Sequence, residues 1–238
     1  MKQFPYILSF IMMMISCSSS EQKEGISPNI PPTNMDNTNI PKRTYLALGD
    51  SYTIGQNVPE SDRWSAYLCN LVKPDFGIPQ YDIIARTGWT TEELIDAIND
   101  RKLSGEYDLV SLLIGVNNQY RGQSIEKYRI EFRELLRIST KYAKNEPQNV
   151  VVLSIPDWGV TPFAGSSDKQ KIASEIDKFN AVAQEEGKNM KIAFVNITDL
   201  SRTNIDASMI ASDQLHFSGK MHELWAKAAL PTVKNILK

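Results

Sequence analysis

A serine, an aspartate and a histidine in this chain have the types and the order that nucleophilic catalysis requires. Ser51 follows a short apolar run and closes the tripeptide Gly49-Asp50-Ser51, whereas Asp213 and His216 lie three residues apart near the other end of the chain. A serine hydroxyl becomes a good nucleophile when a histidine takes its proton and a carboxylate orients that histidine. The order Ser, Asp, His therefore predicts acyl transfer, with Ser51 as nucleophile, His216 as base and Asp213 as orienting acid.

Each of these residues also has a simpler interpretation. Ser51 could cap a helix after the first strand, because serine is common at that position. Asp213 could cap the segment before the last helix, and His216 could be a packed histidine. The other histidine, His222, falls inside a predicted helix, and a metal site built on His216 and His222 would lack further ligands, so we expect no metal.

Short apolar runs alternate with longer amphipathic segments from Arg43 onward. We predict strands at 44–48, 81–85, 109–114, 150–155 and 192–195, and helices at 63–72, 91–99, 125–144, 170–186 and 219–237. This alternation indicates an α/β protein with a mostly parallel sheet and helices on both faces. Right-handed crossovers then place the ends of the first, third and fourth strands on a common rim.

Four separated segments carry the residues that this rim would bring together. They are Gly49-Asp50-Ser51, Arg86-Thr87-Gly88-Trp89-Thr90, Ile114-Gly115-Val116-Asn117-Asn118 and Asp213-Gln214-Leu215-His216. In this order they resemble the SGNH hydrolases, also called the GDSL esterase/lipase family, from the first predicted strand to about Trp225. Short motifs recur by chance, but four in order make a strong signal.

The resemblance implies a fold and a set of roles. The fold is a three-layer α/β/α sandwich on a five-stranded, flavodoxin-like parallel sheet, without a cofactor. The triad is Ser51, Asp213 and His216. The backbone N–H groups of Ser51 and Gly88 and the side chain of Asn117 form the oxyanion hole, which stabilises the negative charge of the tetrahedral intermediate.

Three further residues are candidates for the substrate pocket: Asp50, Asn118 and Trp158. The family commonly has an aspartate where this chain has Asn118, a difference that changes local hydrogen bonding and leaves the nucleophile in place. Trp158 follows the fourth predicted strand. Its ring could wall the acyl or alcohol pocket, or it could pack against the sheet edge.

The N-terminal residues have the pattern of an export signal. Lys2 precedes an apolar run over residues 4–15, which is shorter than the roughly 20 residues that span a bilayer. Met14-Ile15-Ser16-Cys17 then resembles a bacterial lipobox. We predict a signal peptide over 1–16, a lipid anchor on Cys17, a flexible tether over 17–42 and a folded domain over 43–238. A plain signal peptide with an incidental cysteine is the alternative.

Composition restricts the partners and the location. The net charge is −2 and the basic residues are scattered, so we expect no nucleic-acid partner. Only Cys69 remains besides Cys17, which excludes an intramolecular disulfide in the lipidated form. We expect a monomer in the cell envelope, attached to a bacterial membrane through its lipid.

The sequence thus predicts a serine esterase that hydrolyses carboxylic esters through an acyl-enzyme. An acetylated glycan or a short-chain acyl ester would suit an envelope-facing location. A lysophospholipase or a thioesterase fits the same residues. The alternatives from other classes are a non-catalytic glycan-binding surface lipoprotein on the same scaffold and a structural tethered domain.

Overall fold

The core of the fold is a parallel sheet of five strands. This computed structural model describes residues 40–203 and 205–238. The strands are β1 (Tyr45–Gly49), β2 (Asp82–Ala85), β3 (Leu109–Leu113), β4 (Val150–Leu153) and β5 (Ala193–Val195). Their order across the sheet is β2-β1-β3-β4-β5, which is the flavodoxin-like order. The predicted five-stranded parallel sheet is therefore confirmed, with each strand within two residues of its predicted bounds.

Helices cover both faces of the sheet, so the sandwich has the three predicted layers. They are α1 (Ser51–Ile54), α2 (Trp64–Val72), α3 (Thr91–Arg101), α4 (Val116–Tyr120), α5 (Ile125–Tyr142), α6 (Lys169–Asn189), α7 (Thr198–Thr203) and α8 (Gly219–Leu237). Helix α2 packs against α8, whereas α5 packs against α3 and α6. The five long helices agree with the predicted ones, and the short α1, α4 and α7 were not predicted.

Local sequence explains where two of these helices begin. The Thr90 hydroxyl accepts from the N–H of Glu93, and the Glu93 carboxylate accepts from the N–H of Thr90, which is a complete capping box at the start of α3. Ser124 caps α5 by accepting from the N–H of Lys127 at 3.2 Å. Both hydroxyls satisfy backbone donors that the first helical turn leaves without partners.

The position of the site follows from the strand order. β1 and β3 are neighbours, with Gly49 opposite Leu113 at their carboxyl ends. From there the chain leaves β1 toward β2 on one side and β3 toward β4 on the other. Such a reversal opens a crevice at the carboxyl ends of the two strands, which is where open α/β sheets bind ligands.

The predicted signal peptide (1–16), Cys17 and nearly all of the predicted tether (17–42) lie outside the described residues. Within the described residues, no helix combines the length and the apolar character needed to cross a membrane.

Candidate active site

The predicted nucleophile lies at the first position of α1, directly beyond β1. Asp50 caps this short helix by accepting the N–H of Tyr52 at 3.0 Å. The turn before it is tight, because a Cβ on Gly49 would overlap both the Leu113 carbonyl oxygen and the Thr53 hydroxyl. Glycine therefore lets the chain turn sharply enough to leave the hydroxyl of Ser51 at the edge of the crevice.

The predicted acid and base lie together in the loop before α8. Asp213 Oδ2 lies 2.6 Å from His216 Nδ1. The other carboxylate oxygen, Oδ1, accepts the backbone N–H groups of Leu215 at 3.0 Å and His216 at 2.9 Å. An antiparallel bridge between Ile210 and Phe217 closes this loop. The imidazole is thus held through its Nδ1 atom, which leaves Nε2 for proton transfer.

These contacts keep Asp213 ionised. Its partial burial acts to raise the pKa, but the hydrogen bonds from the His216 side chain and from the backbone of His216 and Leu215 outweigh that effect and lower the pKa to about 2. A carboxylate in this state stabilises an imidazolium that forms during a reaction. Asp213 therefore has the electrostatic character that an orienting acid needs.

Ser51 and His216 line one cavity of about 130 Å³ at the carboxyl end of the sheet. The structure describes no hydrogen bond between their side chains within the residues that it covers. The ring of Tyr52 meets the imidazole edge-on, with 5.8 Å between the ring centroids. Hydrogen bonds between a base and its nucleophile are often long before substrate binds and tighten in the complex.

Two loops carry the predicted oxyanion donors, and side chains hold them against each other. Asn117 lines the cavity and donates one N–H of its amide to the Trp89 carbonyl oxygen at 2.9 Å. An amide NH₂ has two N–H groups, so the second stays available for a ligand. Arg121 Nη2 donates to the Gly88 carbonyl oxygen at 2.6 Å, and Nη1 lies 3.3 Å from the carboxylate of Glu93.

Gly88 itself does not line the cavity, although the carbonyl oxygen of its neighbour Trp89 accepts from Asn117, which does. Its φ of +87° lies in the left-handed region, where glycine is favoured. The structure thus brings Ser51, Asn117 and His216 to one cavity. Gly88 lies in the loop that Asn117 and Arg121 hold at the rim.

Of the three pocket candidates, only Trp158 lines the cavity. Asn118 is buried instead and bonds to the start of α3, with its Oδ1 accepting the N–H of Thr91 at 3.1 Å and its Nδ2 donating to the Thr91 hydroxyl at 2.6 Å and to Gln123 Oε1 at 2.8 Å. An aspartate at this position could not make these donations. Asp50 is fully buried, because as the cap of α1 its side chain turns back toward the backbone of Tyr52.

Burial gives Asp50 a second property. Removal from water raises the pKa of its carboxyl group to about 7, even though the Tyr52 N–H bonded to it acts in the opposite direction. Its Oδ2 atom has no hydrogen-bond partner among the described residues. Asp50 is therefore a buried acid behind the nucleophile and not a group that contacts substrate.

Aromatic side chains form one wall of the cavity, which we call the aromatic wall: Tyr120, Trp158 and Phe163. The ring centroid of Tyr120 lies 5.4 Å from that of Trp158, and the ring centroid of Phe163 lies 6.1 Å from that of Trp158. Trp158 Nε1 donates to Gln119 Oε1 at 2.8 Å, which fixes the indole. Of these three rings the sequence predicted only Trp158, since the other two belong to short elements with no recognisable pattern.

One backbone contact and one side-chain contact join the loops around the cavity, and the sequence predicted neither. The backbone N–H of Phe163 donates to the Gln214 carbonyl oxygen at 2.9 Å, between the predicted acid and the predicted base. Asn57 Nδ2 donates to Asp213 Oδ2. No sequence pattern could have shown the second contact, because 156 residues separate its partners.

His222 is buried behind this site, away from the cavity. Its Nδ1 accepts the N–H of Trp64 at 3.1 Å, and burial lowers the pKa of its imidazole to about 3. Within the residues that the structure describes, no three His, Cys, Asp or Glu side chains are arranged to hold a metal ion.

Comparison with known proteins places this architecture in a family. The model of the GDSL-like lipase/acylhydrolase family matches residues 47–224. No protein with a curated description matches the sequence. Among solved structures, the chain is similar to TesA, with 17% identity and a TM-score of 0.64 over 82% of this chain and all of that one.

Two other structures share the fold at a similar level. Axe2, an acetylxylan esterase from Geobacillus stearothermophilus, has 17% identity and a TM-score of 0.61, covering 80% of this chain and 94% of that chain. The psychrotrophic esterase EstA from Pseudoalteromonas sp., inhibited by monoethylphosphonate, has 17% identity and a TM-score of 0.59, covering 82% of this chain and 98% of that chain. The match over residues 47–224 shows that this chain belongs to the GDSL-like lipase/acylhydrolase family.

Proposed function

We propose that this protein is a serine esterase that hydrolyses carboxylic esters of short acyl groups through an acyl-enzyme. One observation carries the proposal: Ser51 and His216 line the same small cavity, and the imidazole is held by the ionised carboxylate of Asp213. A hydroxyl, a base and an orienting acid in one crevice are the parts that acyl transfer needs. Membership of the family supports an ester or related acyl bond as the substrate.

The reaction uses these groups in two steps. His216 Nε2 takes the proton of the Ser51 hydroxyl as its oxygen attacks the ester carbonyl, and the imidazolium then delivers that proton to the leaving alcohol. Water attacks the acyl-enzyme with the same histidine as base, which releases the acid and restores Ser51. The free N–H of Asn117, with the backbone N–H groups of Ser51 and Gly88, stabilises the negative charge of each tetrahedral intermediate.

The size of the cavity favours a small acyl group. Its volume is about 130 Å³, and the lining is mainly apolar. An apolar cavity of about 150 Å³ holds one benzene molecule. An acetyl or butyryl group fits such a space, whereas a long fatty-acyl chain would extend beyond it.

The alcohol part of the substrate would then lie at the mouth, beside the exposed rings of Tyr120 and Phe163. An acetylated sugar suits this arrangement, because a pyranose ring can pack its C–H face on an aromatic ring. The acetylxylan esterase among the structural neighbours supports this substrate class. We further propose that the enzyme acts in the cell envelope, attached through lipid on Cys17, which rests on the lipobox-like residues 14–17.

The test uses purified full-length protein with p-nitrophenyl acetate, butyrate and octanoate and with acetylated xylan. We expect turnover that falls from acetate to octanoate and disappears in Ser51→Ala. Ser104→Ala is the matched control, because Ser104 is exposed and lies before β3, at the amino end of the strands, whereas the cavity lies at their carboxyl end. A phosphonate ester should label wild type and Ser104→Ala equally, and equal labelling of Ser51→Ala would refute the assignment.

A further inference from the structure

The segment 55–58, which follows α1, bonds to two other loops of the site. The Asn57 amide donates to Asp213 Oδ2, the same oxygen that bonds His216 Nδ1. Next to it, Gln56 Oε1 accepts a hydrogen bond from the hydroxyl of Thr87, with 2.5 Å between the two oxygens. Thr87 lies in the loop that carries Gly88. This segment therefore joins the nucleophile loop to the base and to an oxyanion loop.

The backbone holds Asn57 in the conformation that this contact needs. Its φ of 59° lies in the left-handed region, which asparagine tolerates better than most residues. The N–H of Gln56 donates to the Ser51 carbonyl oxygen at 2.9 Å, and the N–H of Val58 donates to that of Gly55 at 3.0 Å. The buried side chain of Val58 anchors the end of the turn. Asn57 is thus fixed relative to Ser51 while its amide reaches Asp213.

We propose that Asn57 is a positioning residue for the Asp213–His216 pair, an assignment that rests on the proposed esterase function. Both oxygens of the carboxylate have N–H partners within their own loop, and Asn57 adds to Oδ2 a donor from a different loop, so the carboxylate cannot rotate without also breaking that contact. The Asn57 donor also shares Oδ2 with the imidazole, and it withdraws part of the negative charge that would otherwise act on the ring. The turn therefore couples the position of the nucleophile to the orientation of its base.

The position of Asn57 makes this coupling measurable. Asn57 does not line the cavity, and its amide bonds Asp213 Oδ2. A change in the hydrogen-bonded Nδ1 proton of His216, or in kcat at unchanged KM, in an Asn57 variant therefore reports the lost hydrogen bond.

The experiment measures the imidazole N–H signals and turnover in the same variants. Because the chain has two histidines and Nδ1 of His222 accepts an N–H from Trp64, NMR of labelled imidazoles separates the Nδ1 proton of His216 from the signals of His222. Asn57→Gly keeps the left-handed turn and removes the amide, whereas Asn57→Asp replaces the donor with a second negative charge. Asn145→Gly is the matched control, since Asn145 is exposed with a φ of 61° and lies far from the site.

We expect the Nδ1 proton signal of His216 to move downfield from wild type to Asn57→Gly, because Oδ2 then bonds the imidazole alone, and to move again in Asn57→Asp. The kcat of Asn57→Gly should fall about tenfold with KM nearly unchanged. Asn145→Gly should match wild type. A His216 Nδ1 signal that is unchanged in Asn57→Gly or moves upfield overturns the inference, whether or not the protein turns over esters. Absence of Ser51-dependent turnover in wild type rejects the proposed function separately.

Discussion

Two histidines six residues apart have opposite chemical surroundings. His216 lines the cavity and bonds the carboxylate of Asp213, whereas His222 accepts a backbone N–H from Trp64 and packs on the ring of Trp225 at 4.6 Å. Both are buried, with 7% and 1% of their surface exposed. Burial alone therefore does not distinguish a reactive imidazole from a structural one.

The hydrogen-bond partner makes the difference. A carboxylate at Nδ1 orients the ring of His216 and leaves Nε2 toward the cavity side for the proposed proton transfer. A backbone donor at Nδ1 fixes the neutral tautomer of His222, with its hydrogen on Nε2. Under the proposed function, the same side chain thus supplies a base at one position and a neutral packing group at the other.

The largest effect should come from replacing each histidine by alanine. In His216→Ala we expect kcat/KM for a short-chain ester to fall about 10⁴-fold or more, with the free energy of unfolding nearly unchanged. In His222→Ala we expect the protein to lose about 3 kcal/mol of stability, because a filled and hydrogen-bonded position becomes a cavity. Its folded fraction should retain turnover. Ester assays with urea unfolding measure both, and a similar activity loss in both variants would contradict the comparison.

The neighbouring asparagines repeat the contrast on a smaller scale. Asn117 lines the cavity, and Asn118 is buried against α3. Asn117→Ala should lower kcat about 10²-fold, because one donor to the oxyanion is lost. Asn118→Ala should chiefly lower stability, by about 2 kcal/mol, because it leaves the Thr91 N–H without its acceptor. Equal effects on kcat in the two variants would show that the assignment of Asn117 is wrong.

Stability against pH separates His222 from Asp50, another buried group whose pKa changes strongly on folding. The pKa of His222 falls from 6.5 to about 3 on folding, so the unfolded chain binds more protons and stability rises with pH between these values. The pKa of Asp50 rises from 3.8 to about 7, so the folded chain binds more protons and stability falls as pH rises through that interval. The two slopes oppose each other between pH 5 and 6.5.

Replacing either His222 or Asp50 should reveal the pH dependence of stability that the other residue causes. In His222→Gln, we expect stability to fall with rising pH across that window, by up to about 1.4 kcal/mol per pH unit. In Asp50→Asn, stability should rise with pH by a similar amount. Urea unfolding at four or five pH values measures these slopes. Parallel curves for wild type and both variants would exclude the assigned shifts.

The smallest effect on turnover should come from Cys17→Ala, far from both histidines in the sequence. We expect a clickable fatty acid to label wild type in bacterial cells and not this variant, while ester hydrolysis by the purified protein stays the same. Cys69→Ala is the control, because Cys69 is half-buried in α2. Equal labelling of wild type and Cys17→Ala would refute the lipid anchor.

The sequence predicted the sheet, the long helices and the order of the four motif segments because each depends on local patterns. Apolar runs such as Leu109–Leu113 are buried along their whole length, which gives strands covered on both faces a clear signal. The short helices α1 and α4 span fewer than two turns, too few for a helical period to show. Their direction decides which of two adjacent side chains reaches the cavity.

This explains the differences at the site. Ser51 and Asp50 are neighbours, and so are Asn117 and Asn118, yet in each pair only one lines the cavity. The spacing of the motifs identifies which two neighbouring residues lie at the site. It does not identify which of the two lines the cavity. Contacts such as Asn57 to Asp213 depend on the tertiary arrangement of distant loops, and no local pattern encodes them.

The bond from the Phe163 N–H to the Gln214 carbonyl has a consequence for redesign. It ties the loop that shapes the pocket to the dipeptide linking Asp213 with His216. A graft that enlarges the pocket by exchanging residues 157–165 would also displace His216, so under the proposed function acyl selectivity and the rate of turnover would change together. Broader acyl acceptance is better sought by changing single rings on an unaltered main chain, which leaves the geometry of proton transfer intact.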